Sequence, residues 1–309
     1  MRKIECFKIR ILESDIDDIL HIEYQKPIFN ILCNHHFFSF NPVVIVADPF
    51  LFAYKDRLFL FYEMKRNYSH GVICMTYTKD LLHWARPSVV LKENFHLSYP
   101  FVFEENGSIY MIPETSAIGD ICLYKADDDN LTHFSLYRTL VHRESTDKGT
   151  GYADSSVYKK DGVFYLFSSI ERNGENTQYL FTSDNITGPY SKHPSSPICS
   201  SQKYGRCGGS VLKDVDGSLY RVVQDCEKRY GDNVHLFQID VMSVSDYKEH
   251  LFISNIIPKY LDFYKEGGHQ YNYTLFNGKF IVATDAKEYN SYTFCRFFHK
   301  IGLMLKMIK

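Results

Sequence analysis

The sequence predicts an all-β fold, a five-bladed β-propeller, and three observations carry this prediction. The chain has 24 tyrosines and 24 phenylalanines in 309 residues, and aromatic side chains favour strands. Five short polar turns each separate two apolar runs, which is the pattern of β-hairpins. These paired runs recur at intervals of roughly 50 to 60 residues, the length of a four-stranded propeller blade with long loops. A β-sandwich with accidental periodicity is the alternative.

The five turns define the blades in order along the chain. They lie at residues 55–57, 105–107, 160–162, 216–218 and 277–279. In the strand that follows each turn, one equivalent position is occupied by Phe59, Tyr110, Tyr165, Tyr220 and Ile281. Further apolar runs at 71–77, 120–124, 178–182 and 233–239 are predicted to be third strands.

The segments outside the repeats are predicted to be additions to the propeller. Residues 1–43 are expected to form an N-terminal extension packed on the propeller, which itself spans 44–288. Residues 289–309 mix basic and large apolar residues, which favours a short amphipathic C-terminal helix lying on a membrane surface. A terminal helix packed on the propeller is the alternative.

Composition and charge exclude several classes of protein. With 35 basic and 37 acidic residues the net charge is −2, so we expect no nucleic-acid partner. A secretory signal and a run of 18 apolar residues are both missing, which predicts a cytoplasmic protein, at most peripheral on the inner face of the membrane. The eight cysteines lack metal-ligand spacing and are expected to be reduced thiols. We expect no cofactor, and no ligand spacing supports a divalent cation in the channel.

The repeat predicts a ring of carboxylates on one face of the propeller. Counting back eleven residues from the equivalent positions places the starts of the innermost strands at Asp48, Tyr99, Asp154, Gly209 and Gln270. In an antiparallel blade the start of strand one and the end of strand two lie on the same face. The central channel should therefore be bordered by Asp48, Glu63, Glu114, Asp154, Asp225 and Asp285.

Paired carboxylates in a pocket suit glycosyl chemistry. One can accept a proton from an attacking hydroxyl while another shifts its pKa or stabilises an oxocarbenium charge. Asp48 and Asp154 occupy the same repeat position, each after an alanine, and with Glu114 they are the catalytic candidates. The alternative is that the two aspartates only bind backbone amides in turns.

Several blocks resemble one known family. Residues 46–52, 96–103, 109–114 and 219–226, with 188–190, 193–194, 206–209 and 230–231, resemble the N-terminal domain of plant glucosamine inositolphosphorylceramide transferases and its bacterial relatives in surface-polysaccharide clusters. The resemblance covers roughly residues 44–285. More distantly, the chain is similar to the five-bladed propellers of glycoside hydrolase family 43. That resemblance implies that Asp48 matches the hydrolase base and Asp154 the residue that tunes the acid.

The acid of the family 43 hydrolases, a glutamate at the head of the fourth blade, has no match. The chain has Arg206-Cys207-Gly208-Gly209 there, which puts hydrolysis in doubt. An arginine suits an anionic leaving group, such as the phosphate of an activated sugar, because it binds phosphate bidentately. A structural salt bridge from Arg206 to a carboxylate is the alternative.

The remaining substrate-binding candidates are weaker, and a structural role competes with each of them. His269 enters from the fifth blade as a ligand or as a structural histidine. His96 and Tyr99 could bind a sugar ring or pack in the core. The stretch 224–231 could bind the acceptor or be a solvated loop. The full set of binding candidates is Glu63, His96, Tyr99, Arg206, Gln224, Asp225, Tyr230 and His269.

The carboxylate pattern, together with the resemblance to this family, implies a glycosyl-transferring enzyme of bacterial surface-polysaccharide biosynthesis, of the capsule or O-antigen type. Its expected ligands are an activated sugar donor and a glycan or lipid-linked acceptor. Asp48 would be the general base, Asp154 and Glu114 would set its pKa, and Arg206 would hold the donor phosphate. The alternatives are a family 43-like hydrolase with Glu114 as acid and a non-catalytic glycan-binding module that partners a glycosyltransferase.

Overall fold

The strands of the protein are seen in a computed structural model that describes residues 3–15, 19–33, 41–144, 150–291, 300 and 303–304. Two short 3-10 helices cover Ile22–Tyr24 and Asp262–Tyr264. The strands are β1 (Lys3–Ser14), β2 (Lys26–Ile31), β3 (Val43–Tyr54), β4 (Arg57–Arg66), β5 (Val72–Thr78), β6 (Ser88–Leu91), β7 (Ser98–Glu105), β8 (Ser108–Glu114), β9 (Ile121–Ala126), β10 (Phe134–Val141), β11 (Ala153–Lys160), β12 (Val163–Arg172), β13 (Glu175–Ser183), β14 (Ser191–Lys192), β15 (Cys199–Ser200), β16 (Leu212–Lys213), β17 (Leu219–Asp225), β18 (Asn233–Met242), β19 (Tyr247–Ile253), β20 (Tyr271–Phe276) and β21 (Lys279–Ser291).

These strands form five antiparallel sheets, which confirms the all-β five-bladed propeller. The blades are β3-β4-β5-β6, β7-β8-β9-β10, β11-β12-β13-β14 with β15 also paired to β13, β16-β17-β18-β19, and β20-β21-β1-β2. Each predicted hairpin turn joins the first and second strands of its blade. The predicted third strands are β5, β9, β13 and β18.

The first strands of the blades surround the central channel, and hydrogen bonds join them across blade boundaries. Leu51 of β3 donates its backbone N–H to the Asn272 side chain of β20 at 2.9 Å. Tyr99 of β7 donates its backbone N–H to the Asp48 carboxylate of β3 at 3.1 Å. Blades one, two and five are therefore fixed to one another at the channel.

The hydrophobic core lies between neighbouring blades. Phe61 of blade one meets Phe134 of blade two edge-to-face, with ring centroids 5.8 Å apart. Phe167 of blade three meets Tyr247 of blade four in the same way at 5.9 Å. All four side chains are buried, so the aromatic residues that predicted strands also stabilise the packing of blade on blade.

The N-terminal segment forms part of the fifth blade, which corrects the prediction of an extension packed on the propeller. Strand β1 pairs with β21 from Lys3 opposite Ser291 to Ser14 opposite Phe280, and β2 pairs with the outer side of β1. Without β1, the long edge of β21 would expose unpaired backbone groups. The pairing closes the ring by joining the N-terminal strand to the last blade.

The C-terminal boundary also differs from the prediction. Strand β21 continues to Ser291, so residues 289–291 belong to a strand and not to the predicted helix. The rest of that helix, 292–309, lies outside the described residues except for Lys300, Leu303 and Met304. Within the described ranges, none of the helices has the length and apolar character needed to cross a membrane.

The first strands of blades one, two and three share a bulge. The pairing register shifts between Ala47 and Phe50, between Ser98 and Phe101, and between Ala153 and Ser156. Inside these bulges Asp48, Tyr99 and Asp154 have φ angles of 52°, 45° and 51°. A left-handed backbone is uncommon outside glycine and is found where a bulge redirects a side chain. The repeat position found in the sequence is thus also a structural repeat.

Candidate active site

Asp48, on blade one, is held by residues of blades two and five. Its Oδ2 accepts the Tyr99 N–H of blade two, and its Oδ1 lies 3.5 Å from Nε2 of His269, which precedes β20 of blade five. Its own N–H donates to Oδ2 of Asp285 at 3.2 Å. The Asp48 residue is only 6% exposed, so this carboxylate is fixed in a nearly water-free position.

His269 lies between two carboxylates. Its Nδ1 is 2.6 Å from Oδ2 of Asp285, on the side of the ring opposite Asp48. Oδ1 of Asp285 accepts the backbone N–H groups of His269 at 2.8 Å and Gln270 at 3.1 Å, which fixes the carboxylate. Burial alone would lower the pKa of His269, but Asp285, Asp48 and Asp154 raise that pKa above its ordinary value. The arrangement favours the protonated form of the His269 imidazole between two carboxyl groups.

Asp48, His269 and Asp285 could also offer ligand atoms to a metal ion. One ligand atom from each residue can be chosen so that all three lie within 4.8 Å of one another. A histidine must be neutral to bind a metal ion, whereas the surroundings of His269 favour its protonated form. Both oxygens of Asp285 already face N–H groups. The geometry therefore suits a proton shared among these three residues better than a bound metal ion.

A second cluster forms around Asp154 on the neighbouring wall. The Arg206 Nε donates to Oδ2 of Asp154 at 2.6 Å, and Nη2 lies 3.6 Å from Oε2 of Glu114. Gln224 also donates to Oδ2 of Asp154, at 3.1 Å. Oε1 of Glu114 accepts a hydrogen bond from Ser116 at 2.6 Å. The structure therefore brings Asp154, Glu114, Arg206 and Gln224 together, with the guanidinium engaged by two carboxylates.

The two candidate aspartates titrate near neutrality. Burial raises the pKa of Asp48 to about 7; His269 opposes this rise, and Asp154 and Asp285 add to it. Burial also raises the pKa of Asp154 to about 7, with Arg206 opposing and Glu114 adding. A carboxylate with a pKa near the working pH is suited to accept a proton during catalysis. Asp48 fits this role better than Asp154, because Asp154 is paired with Arg206.

Glu63 borders the same channel beside His96. The Gly71 N–H donates to Nδ1 of His96 at 2.9 Å, which leaves Nε2 to face Oε1 of Glu63 at 3.4 Å. Burial raises the pKa of Glu63 well above its ordinary value, and Asp48, among other carboxylates, adds to the rise. Burial, with Lys65 and His70, lowers the pKa of His96 to about 4. The pair is thus a neutral imidazole beside a carboxyl group that favours its neutral form.

The fourth blade leaves no room for an acid at its head. A Cβ atom on Gly209 would lie 2.3 Å from the backbone oxygen of Tyr271. A Cβ atom on Gly208 would lie 2.9 Å from the backbone oxygen of His269. The two glycines allow blade five to approach blade four closely, which physically excludes a glutamate at either position.

The two candidate tyrosines have different surroundings. The Tyr99 ring is fully buried and packs edge-on against Phe50 at 4.8 Å, so its side chain belongs to the core while its N–H supports Asp48. Tyr230 is 39% exposed, and its ring lies edge-on to His269 at 5.1 Å and 5.2 Å from the Arg206 guanidinium. Tyr230 is therefore the aromatic residue placed to meet a ligand.

Asp225 is directed away from these clusters. Its Oδ2 lies 3.2 Å from Nε2 of His235 on the adjacent strand β18. Its neighbour Gln224 contacts Asp154, and successive side chains of a strand point to opposite faces. The expectation that Asp225 would join the channel carboxylates is therefore wrong, whereas Gln224 is in the site.

Two residues beside the site were not predicted from the sequence. The Phe7 ring of β1 stacks on His269 with centroids 4.5 Å apart. The buried Lys287 donates to the Tyr230 carbonyl oxygen, and its Nζ lies 3.3 Å from Glu5. Lys287 could have been found, because it follows Asp285 by two residues on the same strand face. Phe7 gave no local signal, because its position depends on pairing with the far end of the chain.

Comparison with known proteins decides the family. Residues 23–265 match the family described as glucosamine inositolphosphorylceramide transferase 1, N-terminal. The chain belongs to this family. It is 38% identical over 217 residues to glucosamine inositolphosphorylceramide transferase 1 of Oryza sativa subsp. japonica and 33% identical over 218 residues to that of Arabidopsis thaliana. Each match covers 67% of this chain but only 28% and 27% of the plant proteins, respectively.

Solved structures with similar folds are glycoside hydrolases. The family 117 glycoside hydrolase Zg3597 of Zobellia galactanivorans matches with a TM-score of 0.54 and 12% identity, covering 78% of this chain and 84% of that protein. A family 43 glycoside hydrolase of Bacillus licheniformis matches with a TM-score of 0.52 and 14% identity, covering 66% of this chain and 42% of that protein. At these identities the likeness concerns the fold alone.

Proposed function

We propose that this propeller transfers a sugar from a phosphate-activated donor to an acceptor hydroxyl, with Asp48 as general base. The observation that carries the proposal is the setting of Asp48: a buried carboxylate with a pKa of about 7, held by Tyr99 and His269 beside a channel. The name of the matching plant relatives, a glucosamine transferase, supports the reaction class. It does so for proteins of which this chain covers little more than a quarter.

In the proposed reaction the acceptor oxygen attacks the anomeric carbon of the donor sugar. The proton of the acceptor hydroxyl goes to Asp48, the bond between the anomeric carbon and the phosphate oxygen breaks, and the phosphate leaves as an anion. No general acid is needed for such a leaving group, which agrees with a fourth blade that has no room for one at Gly208 and Gly209. The His269 imidazolium favours the ionised, basic form of Asp48.

Arg206 has a different role in this proposal from the one expected from sequence. Its guanidinium is committed to Asp154 at 2.6 Å and Glu114 at 3.6 Å, so less of its charge is left for a donor phosphate. We assign Arg206 to positioning: it opposes the rise in the pKa of Asp154 and holds Glu114 beside that carboxylate. Sugar hydroxyl groups are the ligands these carboxylates would bind.

The relatives change the acceptor that we propose. They are plant proteins named for inositolphosphorylceramide, whereas the sequence pattern pointed to a bacterial surface polysaccharide. We therefore propose a lipid-linked acceptor with an inositol phosphate headgroup, and a surface glycan is the alternative acceptor. The cytoplasmic location, the membrane-surface contact and the partner glycosyltransferase stay predictions.

A glycan-binding module without catalysis is the second candidate. The observation that favours it is coverage: the matched region is 28% of the rice protein, so the rest of that protein has room for a separate transferase domain. The hydrolase alternative is weaker. Its acid would be Glu114, but Oε2 of Glu114 faces Arg206 at 3.6 Å and Oε1 accepts a hydrogen bond from Ser116, so both oxygens already have partners.

The proposal is tested by measuring transfer with a radiolabelled sugar nucleotide and a phosphoinositol lipid, using wild type and Asp48→Asn. Loss of a general base should reduce turnover by about 10²- to 10⁴-fold. Asp225→Asn is the matched control, because the same change is made on a carboxylate that faces away from the site. Binding of both ligands by the wild type without turnover would support the module and refute the enzyme.

A further inference from the structure

A large basic cavity opens beside the carboxylate cluster. It has a volume of about 960 Å³ and lies between the ends of β4 and β5 and the segment that leads into β7. We call it the basic cavity and define it by Lys65, Arg66, Asn67, His70, Lys92 and His96. None of these residues except His96 was assigned a function from the sequence.

Among the described residues, the cations of the basic cavity have no carboxylate within ion-pair distance. This holds for Lys65, Arg66 and Lys92, although the charge of Lys65 acts on Glu63 and opposes the rise of its pKa. Arg66 donates one N–H to the Asn41 carbonyl oxygen at 3.0 Å, which leaves most of its five donors available. The single acidic residue of the lining, Glu93, accepts a hydrogen bond from a tyrosine hydroxyl at 3.0 Å.

Exposed lysines elsewhere in the protein are paired with acidic side chains. The exposed Lys55 and Lys79 are each paired with an aspartate at 2.7 Å. Three cations gathered around one concavity repel one another, which costs free energy unless an anion is bound. The other lining groups include Asn67, which can donate hydrogen bonds. A donor-rich cationic pocket fits the oxygens of a phosphate.

The basic cavity lies next to the buried carboxylate Glu63, which is linked to the site around Asp48. His96 lines the cavity, and its Nε2 lies 3.4 Å from Glu63. Glu63 is buried, and Asp48 lies near enough to raise the pKa of Glu63 further. A ligand anchored by an anion in the cavity could therefore extend past His96 and Glu63 toward Asp48.

We propose that the basic cavity binds the phosphate group of a substrate, with Lys65, Arg66 and Lys92 as its cationic ligands. The inference rests on the proposed function, since it supplies the phosphate site that Arg206, committed to Asp154 and Glu114, does not. Two substrates carry this chemistry: a nucleoside diphosphate sugar donor and an acceptor with an inositol phosphate headgroup.

The test measures binding by isothermal titration calorimetry on the full chain, with UDP and myo-inositol 1-phosphate as probes. The variant is Lys65→Gln/Lys92→Gln, and the control is Lys213→Gln, an exposed lysine of blade four outside the cavity. Because hydrogen bonds from charged donors are strong, we expect the double variant to bind at least about tenfold more weakly. UDP binding would assign the cavity to the donor, and inositol phosphate binding to the acceptor.

The inference is overturned if the wild type binds neither probe, or if the double variant binds as the wild type or the control does. Raising the salt concentration should weaken wild-type binding more steeply than binding by the double variant, in which Arg66 is the remaining cationic ligand, and this comparison checks the result independently of folding. Failure of the catalytic proposal and failure of the phosphate-site proposal give different results. If Asp48→Asn has no effect on transfer while binding needs Lys65 and Lys92, Asp48 is not the general base but the basic cavity is still a phosphate site. If transfer needs Asp48 but the double variant retains the wild-type KM, only the proposal of phosphate binding in the basic cavity is refuted.

Discussion

Replacing Arg206 with methionine should be among the most damaging single changes in the channel. The Arg206 side chain is 18% exposed, and it contacts the Asp154 carboxylate, which is 4% exposed, at 2.6 Å. Its removal leaves Asp154 and Glu114 without their shared cation in a nearly dry site. Breaking a buried ion pair by removing one partner costs about 3–5 kcal/mol, and we expect Arg206→Met to lower the free energy of unfolding by that amount.

The matched control is Arg229→Met. Arg229 also contacts two carboxylates, Asp232 and Glu266, both at 2.9 Å, but 33% of its side chain is exposed. Ion pairs that solvent reaches more easily are worth less than buried ones, so we expect the control to change stability by roughly 0–1 kcal/mol. Urea denaturation at pH 8 measures both values. Equal losses for the two variants would refute the reasoning that burial makes the Arg206 cluster costly to break.

The sign of the pH dependence sharpens this test. Without Arg206 the pKa of Asp154 should rise beyond about 7, because the cation that opposes the rise is gone. A carboxyl with a raised pKa is protonated, and therefore tolerated, at low pH. The stability difference between wild type and Arg206→Met should therefore shrink at pH 5, and adding Asp154→Asn should partly rescue the variant at pH 8. A difference that grows at pH 5 would contradict the assignment.

Three further predictions concern the frame of the site. Asp48 and Asp154 have pKa values of about 7 in the folded protein, against an ordinary value of 3.8. Between these two values the folded state binds more protons than the unfolded state. The free energy of unfolding should therefore fall as the pH rises from 4 to 7, by up to about 1.4 kcal/mol per pH unit for each group. Denaturation at pH 5 and 8 checks this, and greater stability at pH 8 would contradict it. Phe7→Ala should lower the free energy of unfolding by about 3–5 kcal/mol, measured by calorimetry, because the ring is 3% exposed and stacks on His269. A loss below about 1 kcal/mol would show that the packing of the Phe7 ring of β1 contributes little to stability. Gly209→Ala should cost about 1–3 kcal/mol, since its Cβ would lie 2.3 Å from a backbone oxygen of β20, and a wild-type urea midpoint would refute that close approach.

The blades could be predicted because their signals are local. Hairpin turns and apolar strands are each determined by a few adjacent residues. The sequence therefore correctly predicts all five hairpins that join the first and second strands of a blade. Strand β1 was missed because its partner β21 lies at the other end of the chain, and no local pattern records such a pairing. The same reason hid Phe7, whose contact with His269 exists only after the ring has closed.

The site was predicted in outline but not in its pairings. The repeat placed Asp48 and Asp154 at one equivalent position, and both have the left-handed backbone there. Counting residues could not show which side of a strand end faces the channel, and so Asp225 was included although Gln224 is the residue that points inward. The partner of Arg206 was open between phosphate and carboxylate, and only the three-dimensional contacts distinguish them.

The role of Asp48 as the proton acceptor is tested most directly by the pH dependence of kcat/KM for sugar transfer. The wild-type rate should rise with pH through a midpoint near 7, the pKa of about 7 at which Asp48 ionises. His269→Gln removes the imidazole 3.5 Å from Asp48, and loss of that cation should move the midpoint upward by about 1–3 pH units. An acid limb at the same pH in both proteins would contradict Asp48 as the base.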